Sequence, residues 1–554
     1  MVFNSLVFFI FLGIVYALYR LLPFRGQNWL LLVAGYVFYG WWDVRFLFLI
    51  SFSTTVDFWI GLLLSRGAVP RSERVIASLF IVTAAACFLN LDWGALSQGQ
   101  LGAILAPSTL GLQTLAGTIA IVLIANATHN QLLSMQPERR RRLLLFVTVG
   151  VNLGFLGIFK YFNFFAESAE RLLHAVGWNV DPVHLSVVLP VGISFYTFQS
   201  LSYTIDSARG RVKPVEHFWD FALFVAFFPP MVAGPIERAR HLLPQLLRPR
   251  HIRLNQSTYG VQLILYGLFK KVAVADGLAV SVNSVYNSSG TVSSVDVGFA
   301  TLLFAFQIFC DFSGYTDIAR GVAKLFGIEL SLNFDLPYFS RNPSEFWRRW
   351  HISLSSWLRD YLYIELGGNR RGNLRTYLNL IITMVLGGLW HGAAANFLLW
   401  GAYQGALLAG HRLLTGREEK FPTDVKTEAD APPSAPRRFA KRVVSLARIA
   451  FFFLFVCYGW LLFRATSLEQ IIIFTEKLVG LTPYASSVMM KPPVASIFGL
   501  VILLCLQLAE WVDGRRDVFR FWPTPLQGAL YAVIIFDLFM GMSNAPAQFI
   551  YFQF

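Results

Sequence analysis

The chain has 554 residues, of which 55% are apolar and 14% are charged, and its net charge is +14. Because a soluble globular protein carries about 25% charged residues, this composition excludes a soluble enzyme, a disordered chain and a collagen-like repeat. The basic residues form short clusters between long apolar runs, which favours a membrane protein over a nucleic-acid-binding face, so we predict a lipid bilayer and no nucleic acid as partner.

Apolar runs of membrane-helix length follow one another along the chain, since about 20 apolar residues cross the hydrocarbon core. The first run, residues 2–19, precedes Arg20 and Arg25. This charge order is the reverse of a cleavable signal peptide, so we predict a retained helix with its amino terminus outside. The further predicted runs are 29–39, 46–64, 75–91, 110–127, 143–165, 187–205, 259–280, 297–309, 377–389, 397–408, 443–463, 494–511 and 526–542. Several are too short for a full span, which predicts tilted, broken or re-entrant helices.

The charge of the loops predicts their side of the membrane. Three basic clusters mark cytoplasmic loops, at 66–74, 139–142 and 238–253. The Pro-rich stretch 412–442 is the longest hydrophilic loop and is basic at both ends, so we predict it to be cytoplasmic, whereas 91–108 and 281–295 contain no Lys or Arg and are predicted outside. Counting alternate crossings gives an all-α polytopic chain with about 12 to 14 spans and both termini outside.

His391 is a candidate for catalysis. It stands in the sequence MVLGGLWHGAAAN, residues 384–396, at membrane depth and with Trp390 beside it. The glycines of this stretch weaken the helix and allow a backbone or a ligand to approach closely. A neutral imidazole takes a proton from a hydroxyl near neutral pH, which predicts a general base. A buried histidine satisfied by one backbone carbonyl fits the spacing equally well.

His351 lies in a second unusual stretch, PSEFWRRWHISLSSWLRDY, residues 343–361. We predict one helix here, capped by Ser344, with Arg348 and Arg359 on one face. A different face of that helix would hold Trp347, His351, Ser355 and Leu358. Tryptophans with arginines suit the membrane interface or a cationic, aromatic mouth for an anionic ligand. An interfacial helix alone leaves the histidine unexplained.

A third polar cluster, FQIFCDFSGYTD, occupies residues 306–317. Asp311, Ser313 and Asp317 interrupt an apolar run and need partners, such as arginines or backbone amides, which predicts a structural polar network. The sequence contains no spacing for zinc ligands, no nucleotide-binding glycine loop and no serine elbow. The four cysteines stand in apolar runs without metal-ligand spacing, so we predict no metal and small buried thiols.

Several long motifs in order resemble one known family. The motifs are LPVGISFYTFQSLSYTIDSARG, FVAFFPPMVAGPIERA, DFSGYTDIARG, SEFWRRWHISLSSWLRDYLYIELGGNR, LGGLWHGAAANFLLWGAYQG and the terminal FIYFQF. Together they resemble the membrane-bound O-acyltransferase (MBOAT) superfamily, in the branch of the alginate O-acetyltransferase membrane subunit. The resemblance is dense over 187–414, which we expect to be the catalytic core of a single domain spanning 1–554. It implies a ring of helices pierced by a central tunnel.

The resemblance also implies a reaction. It is the transfer of an acetyl group from cytosolic acetyl-CoA across a bacterial inner membrane to an exported polysaccharide such as alginate. The reaction needs no bound cofactor. In such a membrane the outside predicted for both termini is the periplasm. A periplasmic protein of the SGNH-hydrolase type is implied as the partner that completes the acetylation. His391 matches the catalytic histidine of the family, and His351 matches its second signature histidine.

The donor site is expected near His351, because CoA carries phosphates that arginines bind well. The candidate donor-binding residues are Trp347, Arg348, Arg349, Arg359 and Trp390. The two histidines would bracket the thioester carbonyl, one orienting it while the other acts as general base. Transient acylation of His391 is an equally open alternative.

The terminal motif 549–554 predicts an acyl relay at Tyr551. By resemblance, a similar aromatic-tyrosine ending occurs on a small companion peptide of the D-alanylating branch, where the tyrosine looks like an acyl carrier. The alternative is that Tyr551 belongs to an interfacial aromatic belt. The additional apolar runs 75–91 and 110–127 depart from the family pattern and suit either a partner-docking surface or lipid-facing bulk.

Two other functions compete with polysaccharide acetylation. The first keeps the fold and changes the chemistry to D-alanyl or other acyl transfer, with teichoic acid, peptidoglycan or cellulose as acceptor. The second is a transporter that makes no bond, but the sequence contains no paired inverted repeat of broken helices.

Overall fold

A computed structural model describes the chain apart from residues 101–102, 182, 187, 289–291, 417–434, 481–490, 542–548 and 551–554. Helices hold most of the described residues, and the β-pairing among them is one isolated bridge between Leu91 and Leu105. The predicted all-α class is confirmed. The chain divides into two compact units, residues Met1–Ile264 with Ala319–Ser331 and residues Leu265–Ile318 with Leu332–Phe554.

The helices that begin in the first unit are α1 Leu6–Leu21, α2 Phe24–Gly40, α3 Phe46–Arg66, α4 Arg71–Asn90, α5 Trp93–Ser97, α6 Thr109–Ala127, α7 His129–Ser134, α8 Pro137–Leu156, α9 Phe162–Ala175, α10 Ile193–Ala208, α11 Phe218–Ala226, α12 Phe228–Met231, α13 Ala239–Leu246 and α14 Leu254–Leu268. A π-helical turn, Gly157–Tyr161, joins α8 to α9.

The helices that begin in the second unit are α15 Gly277–Tyr286, α16 Ser294–Leu325, α17 Pro343–Arg349, α18 Ile352–Leu358, α19 Asn373–His391, α20 Ala395–Thr415, α21 Ala435–Arg464, α22 Leu468–Leu478, α23 Val494–Asp513 and α24 Thr524–Gly541. Two π-helical segments, Phe269–Asp276 and Arg359–Tyr363, and two short 3₁₀ turns, Pro337–Phe339 and Val518–Phe521, complete this unit.

Within the described part of the chain, eight helices are long and apolar enough to cross a membrane. They are Phe46–Arg66, Arg71–Asn90, Thr109–Ala127, Pro137–Ala175, Ser294–Leu325, Val444–Arg464, Val494–Asp513 and Thr524–Gly541. The predicted polytopic membrane class is therefore confirmed, and the other predicted runs fall on shorter or more polar helices. The run predicted at 110–127 forms α6, whose apolar window is only 11% buried within the chain.

Two predicted loops are shorter than expected. α15 continues to Tyr286 and α16 begins at Ser294, so much of 281–295 is helical. Residues 281–286 contain neither glycine nor proline, the residues that most strongly disfavour a helix, and α15 ends only before Asn287. Likewise α20 continues to Thr415 and α21 begins at Ala435, so both ends of 412–442 are helical.

Close backbone packing joins α19 and α20, the helical hairpin that ends the predicted core. A Cβ atom added at Gly388 would lie 2.1 Å from the carbonyl oxygen of Phe397, and one at Gly401 would lie 2.4 Å from that of Met384. Only glycine allows two helices to approach this closely. The hairpin thereby fixes His391, the last residue of α19, against the first turns of α20.

A buried carboxyl group, Asp57 of α3, organises polar packing in the first unit. It accepts hydrogen bonds from Thr148 Oγ1 at 2.5 Å and from Asn152 Nδ2 at 3.1 Å, both from α8. A polar group inside an apolar helix bundle is costly unless other side chains satisfy it. These neutral partners therefore make the contact structural.

Candidate active site

His351 lies at a sharp break between two short helices. α17 ends at Arg349 and α18 begins at Ile352, and between them His351 has a φ of 43°, in the left-handed region. The single helix predicted over 343–361 is therefore wrong, and the shared helical face expected for its residues does not exist. A non-glycine residue in this conformation is strained and persists only where its surroundings hold it.

Asn333 caps α18 and holds the break in place. Its backbone carbonyl accepts the N–H of Ile352 at 2.9 Å, and its side-chain oxygen accepts from Ser353 N at 3.2 Å and from Ser353 Oγ at 2.7 Å. These bonds satisfy N–H groups that the start of a helix leaves unpaired. At the start of α17 the cap is Asn342, whose side-chain oxygen accepts an N–H of the first turn at 2.8 Å, and not Ser344 as predicted.

The imidazole of His351 is fully buried. Its Nδ1 lies 3.4 Å from Oδ1 of Asn333, and Nε2 makes no hydrogen bond with the described residues. Burial disfavours the charged form and lowers the pKa of His351 to about 3. The ring is therefore neutral at physiological pH. A proton on Nδ1 faces the Asn333 oxygen, which leaves Nε2 as a hydrogen-bond acceptor for a ligand.

His391 ends α19 inside an aromatic cage. Its ring lies 5.0 Å from Trp390, 5.2 Å from Trp400 and 5.4 Å from Phe463, measured between ring centroids, and the residue is only 4% exposed. Gly392 follows in extended conformation and ends the helix. Such a dry, rigid enclosure strengthens the electrostatic interactions of any reacting group inside it.

The rings of the two histidines, 40 residues apart in the chain, lie close together in the buried interior of the second unit. Their ring centroids are 6.4 Å apart, and the ring of Trp390 lies 5.8 Å from that of His351. A single carbonyl or hydroxyl group between them would be within reach of both imidazoles. Two buried imidazoles close together suit acyl transfer, because one can take a proton while the other orients the reacting group.

A cavity of about 130 Å³ lies beside Trp347. It is lined by Ser344, Trp347, Arg348, Ser355, Leu358, Arg359, Tyr363, Leu380, Thr383, Met384, Leu408, His411 and Arg412. The described lining residues include arginines and no carboxylate, although Arg359 also pairs with Asp360 at 2.6 Å. The ring of Trp347 lies 5.9 Å from Trp400, which in turn contacts His391. The cavity is therefore cationic at its wall and aromatic toward the histidines.

The predicted donor-binding residues separate into three places. Trp347, Arg348 and Arg359 line the cavity. Arg349 is not among the described lining residues, and its guanidinium donates to Glu345 Oε1 at 2.8 Å. Trp390 lies beside both histidines instead. The expected split between a tryptophan face and an arginine face is thus replaced by one lining that contains both residue types.

The polar cluster of α16 pairs with lysines. Lys271 Nζ lies 2.7 Å from Oδ1 of Asp311 and 2.6 Å from Oδ1 of Asp276, and Lys270 forms an ion pair with Asp317. The Ser313 hydroxyl makes no hydrogen bond with the described residues and takes no part in these pairs. The second oxygen of Asp311, Oδ2, accepts the backbone N–H of Ile550 at 2.7 Å.

The last described residues of the chain, Phe549 and Ile550, are buried beside this cluster. The ring of Phe549 lies 4.8 Å from Tyr315 and 6.3 Å from Phe312. The ring of Phe312 is in turn 4.7 Å from the imidazole of His351. One aromatic ring therefore separates the carboxyl-terminal segment from a candidate catalytic histidine. Tyr551 itself lies outside the described residues.

Comparison with known proteins identifies the family. The model of the MBOAT, membrane-bound O-acyltransferase family matches residues 207–439. The chain is 38% identical over 85% of its length to a probable alginate O-acetylase AlgI of Pseudomonas putida, of which it covers 78%, and 36% identical over 96% of its length to that of Azotobacter vinelandii, of which it covers 87%. A peptidoglycan O-acetyltransferase of Helicobacter pylori is 34% identical over 62% of this chain and 66% of its own length. This chain belongs to the membrane-bound O-acyltransferase family.

Membership of the MBOAT family confirms the predicted resemblance and the predicted enzyme class. The protein is a multi-pass membrane O-acyltransferase, and its relatives act in polysaccharide O-acylation. The family match spans both His351 and His391. A transporter that makes no bond is not supported, since the family and the named relatives are acyltransferases.

Sequence reasoning missed several residues of this acyltransferase site. Asn333 stands 18 positions before His351, and no local pattern links the two. Lys270 and Lys271 were hidden inside the apolar run 259–280, although two adjacent lysines in such a run are a signal that buried carboxylates lie nearby. The sequence places Arg412 at the start of a predicted loop. In the structure α20 extends past this residue, and Arg412 lines the cavity.

Proposed function

We propose that this MBOAT protein takes an acetyl group from acetyl-CoA at the cytoplasmic side and delivers it, across a bacterial inner membrane, for O-acetylation of an exported polysaccharide of the alginate type. The observation that supports it is the close approach of two buried histidine rings, those of His351 and His391, whose centroids lie 6.4 Å apart. The relatives that match most of the chain are probable alginate O-acetylases, and both chain termini are proposed to face the periplasm.

The cationic cavity is the proposed entry for the donor. Phosphates of CoA would pair with Arg348, Arg359 and Arg412, because guanidinium groups bind phosphate with charge-assisted hydrogen bonds. The absence of carboxylates among the described lining residues supports an anionic ligand. Trp347 would guide the thioester arm toward Trp400, and so toward His391.

His391 is the proposed general base. It removes the proton from the attacking hydroxyl as that oxygen bonds to the thioester carbonyl carbon. The C–S bond then breaks, and the proton passes from the His391 imidazolium to the departing CoA thiolate. His351 stays neutral, because burial lowers its pKa to about 3, and it orients the reacting group through Nε2. The competing route makes His391 itself the acyl acceptor, with an acyl-imidazole intermediate.

Tyr551 is the proposed acceptor of the acetyl group. Its hydroxyl attacks the thioester to form an acetyl-tyrosine ester. A hydroxyl of a periplasmic SGNH-type partner or of the polysaccharide then attacks that ester, and the tyrosine recovers its proton. The burial of the two preceding described residues beside Phe312 and Tyr315 supports this role, since Tyr551 directly follows Ile550 in the chain.

The experiment is acetyl transfer in membrane vesicles that contain the full chain and acetyl-CoA labelled in the acetyl group. We expect His391→Ala to reduce label on protein and polymer by about 100-fold or more, whereas His174→Ala, an exposed histidine of α9, leaves it unchanged. An acetylated His391 trapped in Tyr551→Phe would select the acyl-imidazole route. Normal transfer by His391→Ala would overturn the proposal.

The acceptor polymer needs a separate test. Alginate, peptidoglycan and cellulose offered to the same vesicles with a periplasmic SGNH-type protein would compete for label. We expect alginate to take it, because the alginate relatives cover most of this chain. Transfer to peptidoglycan alone would favour the activity named for the Helicobacter pylori relative. D-alanyl thioester in place of acetyl-CoA tests the remaining acyl group.

A further inference from the structure

The ion cluster under α16 contains a lysine that two carboxylates share. Lys271 serves two carboxylates, Asp276 and Asp311, and the exposed fractions of all three side chains are only 5% or 6%. A buried carboxylate that shares its cation needs further hydrogen-bond donors, because unpaired charge in a low dielectric is costly. The two carboxylates that share Lys271 therefore need a further hydrogen-bond donor.

That donor is the backbone of the carboxyl-terminal segment. Asp311 faces Lys271 with Oδ1 at 2.7 Å and accepts the N–H of Ile550 with Oδ2 at 2.7 Å. Each oxygen thus has a different partner. A hydrogen bond to an ionised group is about twice as strong as a neutral one, and Ile550 is only 2% exposed, so water does not compete for it.

Phe312, the next residue of α16, connects this contact to the candidate catalytic histidine His351. Phe312 follows Asp311 in the chain, and its ring touches both His351, at 4.7 Å, and Phe549, at 6.3 Å. One turn of α16 therefore meets the terminal segment and the histidine together. A shift of the segment along α16 would change the distances of Phe549 and Ile550 from His351.

We propose that Asp311, held by Lys271, is a positioning residue that fastens the carboxyl-terminal segment beside His351 through the amide of Ile550. This inference rests on the proposed role of Tyr551 as acyl acceptor for its effect on the reaction. The fastening itself concerns only residues 311, 271 and 550, so it is measurable without any acyl transfer.

The first measurement is the accessibility of residue 550. A cysteine introduced as Ile550→Cys keeps the backbone N–H, and its reaction with N-ethylmaleimide in membrane vesicles is followed on the terminal peptide by mass spectrometry. We expect slow labelling in the otherwise unchanged chain and labelling about tenfold or more faster after Asp311→Ala. The matched control is Asp317→Ala, which breaks the neighbouring ion pair with Lys270 and is expected to leave labelling slow.

The second measurement is transfer of label from acetyl-CoA to Tyr551. Ile550→Pro removes the N–H and leaves the ion cluster intact, while Ile550→Val keeps the N–H. We expect Asp311→Ala and Ile550→Pro each to lower kcat about tenfold or more with KM for acetyl-CoA within about twofold. The double variant should be no slower than the slower single one, because both remove the same contact.

The outcomes separate this inference from the proposed function. Equal labelling of residue 550 with and without Asp311, in folded protein, would overturn the fastening whatever the activity. So would independent, additive losses from Asp311→Ala and Ile550→Pro. Faster labelling after Asp311→Ala, together with full polymer acetylation by Tyr551→Phe, would support the fastening and refute the relay. If Asp311→Ala does not fold, the comparison of Ile550→Pro with Ile550→Val decides by itself.

Discussion

The side-chain oxygen of Asn333 lies 3.4 Å from Nδ1 of His351. The same oxygen caps α18, the helix that begins directly after His351. One amide thus fixes both the strained backbone of the histidine and the orientation of its ring. Because Nδ1 faces this oxygen, Nε2 is the atom that remains for a ligand. The chemistry of the site therefore depends on a residue that needs no contact with substrate.

The first prediction concerns this positioning. Asn333→Ala removes the cap of α18 and frees the His351 ring, so we expect kcat for acetyl transfer to fall about tenfold or more, with little change in KM for acetyl-CoA, and stability to fall by about 1 kcal/mol. Asn342→Ala removes the cap of α17 and should cost similar stability with a much smaller loss of kcat. Equal losses of kcat in the two variants would contradict the positioning role.

The second prediction is a pH dependence of stability. Burial places the pKa of His351 at about 3, below its usual 6.5, so the unfolded chain binds the proton more readily than the folded one. Stability from this group is therefore complete above about pH 6.5 and falls as the pH drops toward 3. His351→Gln should flatten the decline of the melting temperature in detergent between about pH 7.5 and 5. An unchanged slope would show that the ring binds its proton equally well in the folded and in the unfolded chain.

The sequence predicts the membrane helices well because an apolar run is a property of the chain itself. The run 46–64 became α3, and 494–511 became α23, within two residues at each end. The break at His351 was not predictable in this way. It depends on Asn333, which reaches the helix start from another segment, and local spacing contains no trace of such a contact.

The candidate site was predicted in part for the same reason. The residue context singles out His351 and His391, the resemblance implies their roles, and the structure brings the two rings close together. The sequence predicts that a backbone amide is among the possible partners of Asp311. It does not predict the lysine, or that the amide is the one of Ile550. The sequence also does not show that Arg348 lines the cavity while the neighbouring Arg349 pairs with Glu345.

The third prediction separates the arginines. Arg348 lines the cavity, whereas the neighbouring Arg349 is held by Glu345. We expect Arg348→Gln and Arg412→Gln each to raise KM for acetyl-CoA about tenfold, because each removes a charge-assisted contact to phosphate. Arg349→Gln should change KM by less than about twofold. An increase in KM with Arg349→Gln as large as that with Arg348→Gln would restore Arg349 to the donor site that the sequence predicts.

The last prediction tests the helical hairpin that positions His391. A Cβ at Gly388 would lie 2.1 Å from the Phe397 carbonyl oxygen, so Gly388→Ala must push α20 away from α19 and carry Trp400 away from the His391 ring. We expect a loss of about 2 kcal/mol or more in stability and a loss of acetyl transfer beyond what the lower protein level explains. Gly410→Ala, in the same hairpin, meets nothing within 4 Å and should be neutral or stabilising by about 0.5 kcal/mol. Transfer per folded molecule, measured for both variants at equal protein level, decides the matter: full activity in Gly388→Ala would mean that His391 tolerates a displaced cage, and the dry enclosure would then not be needed for catalysis.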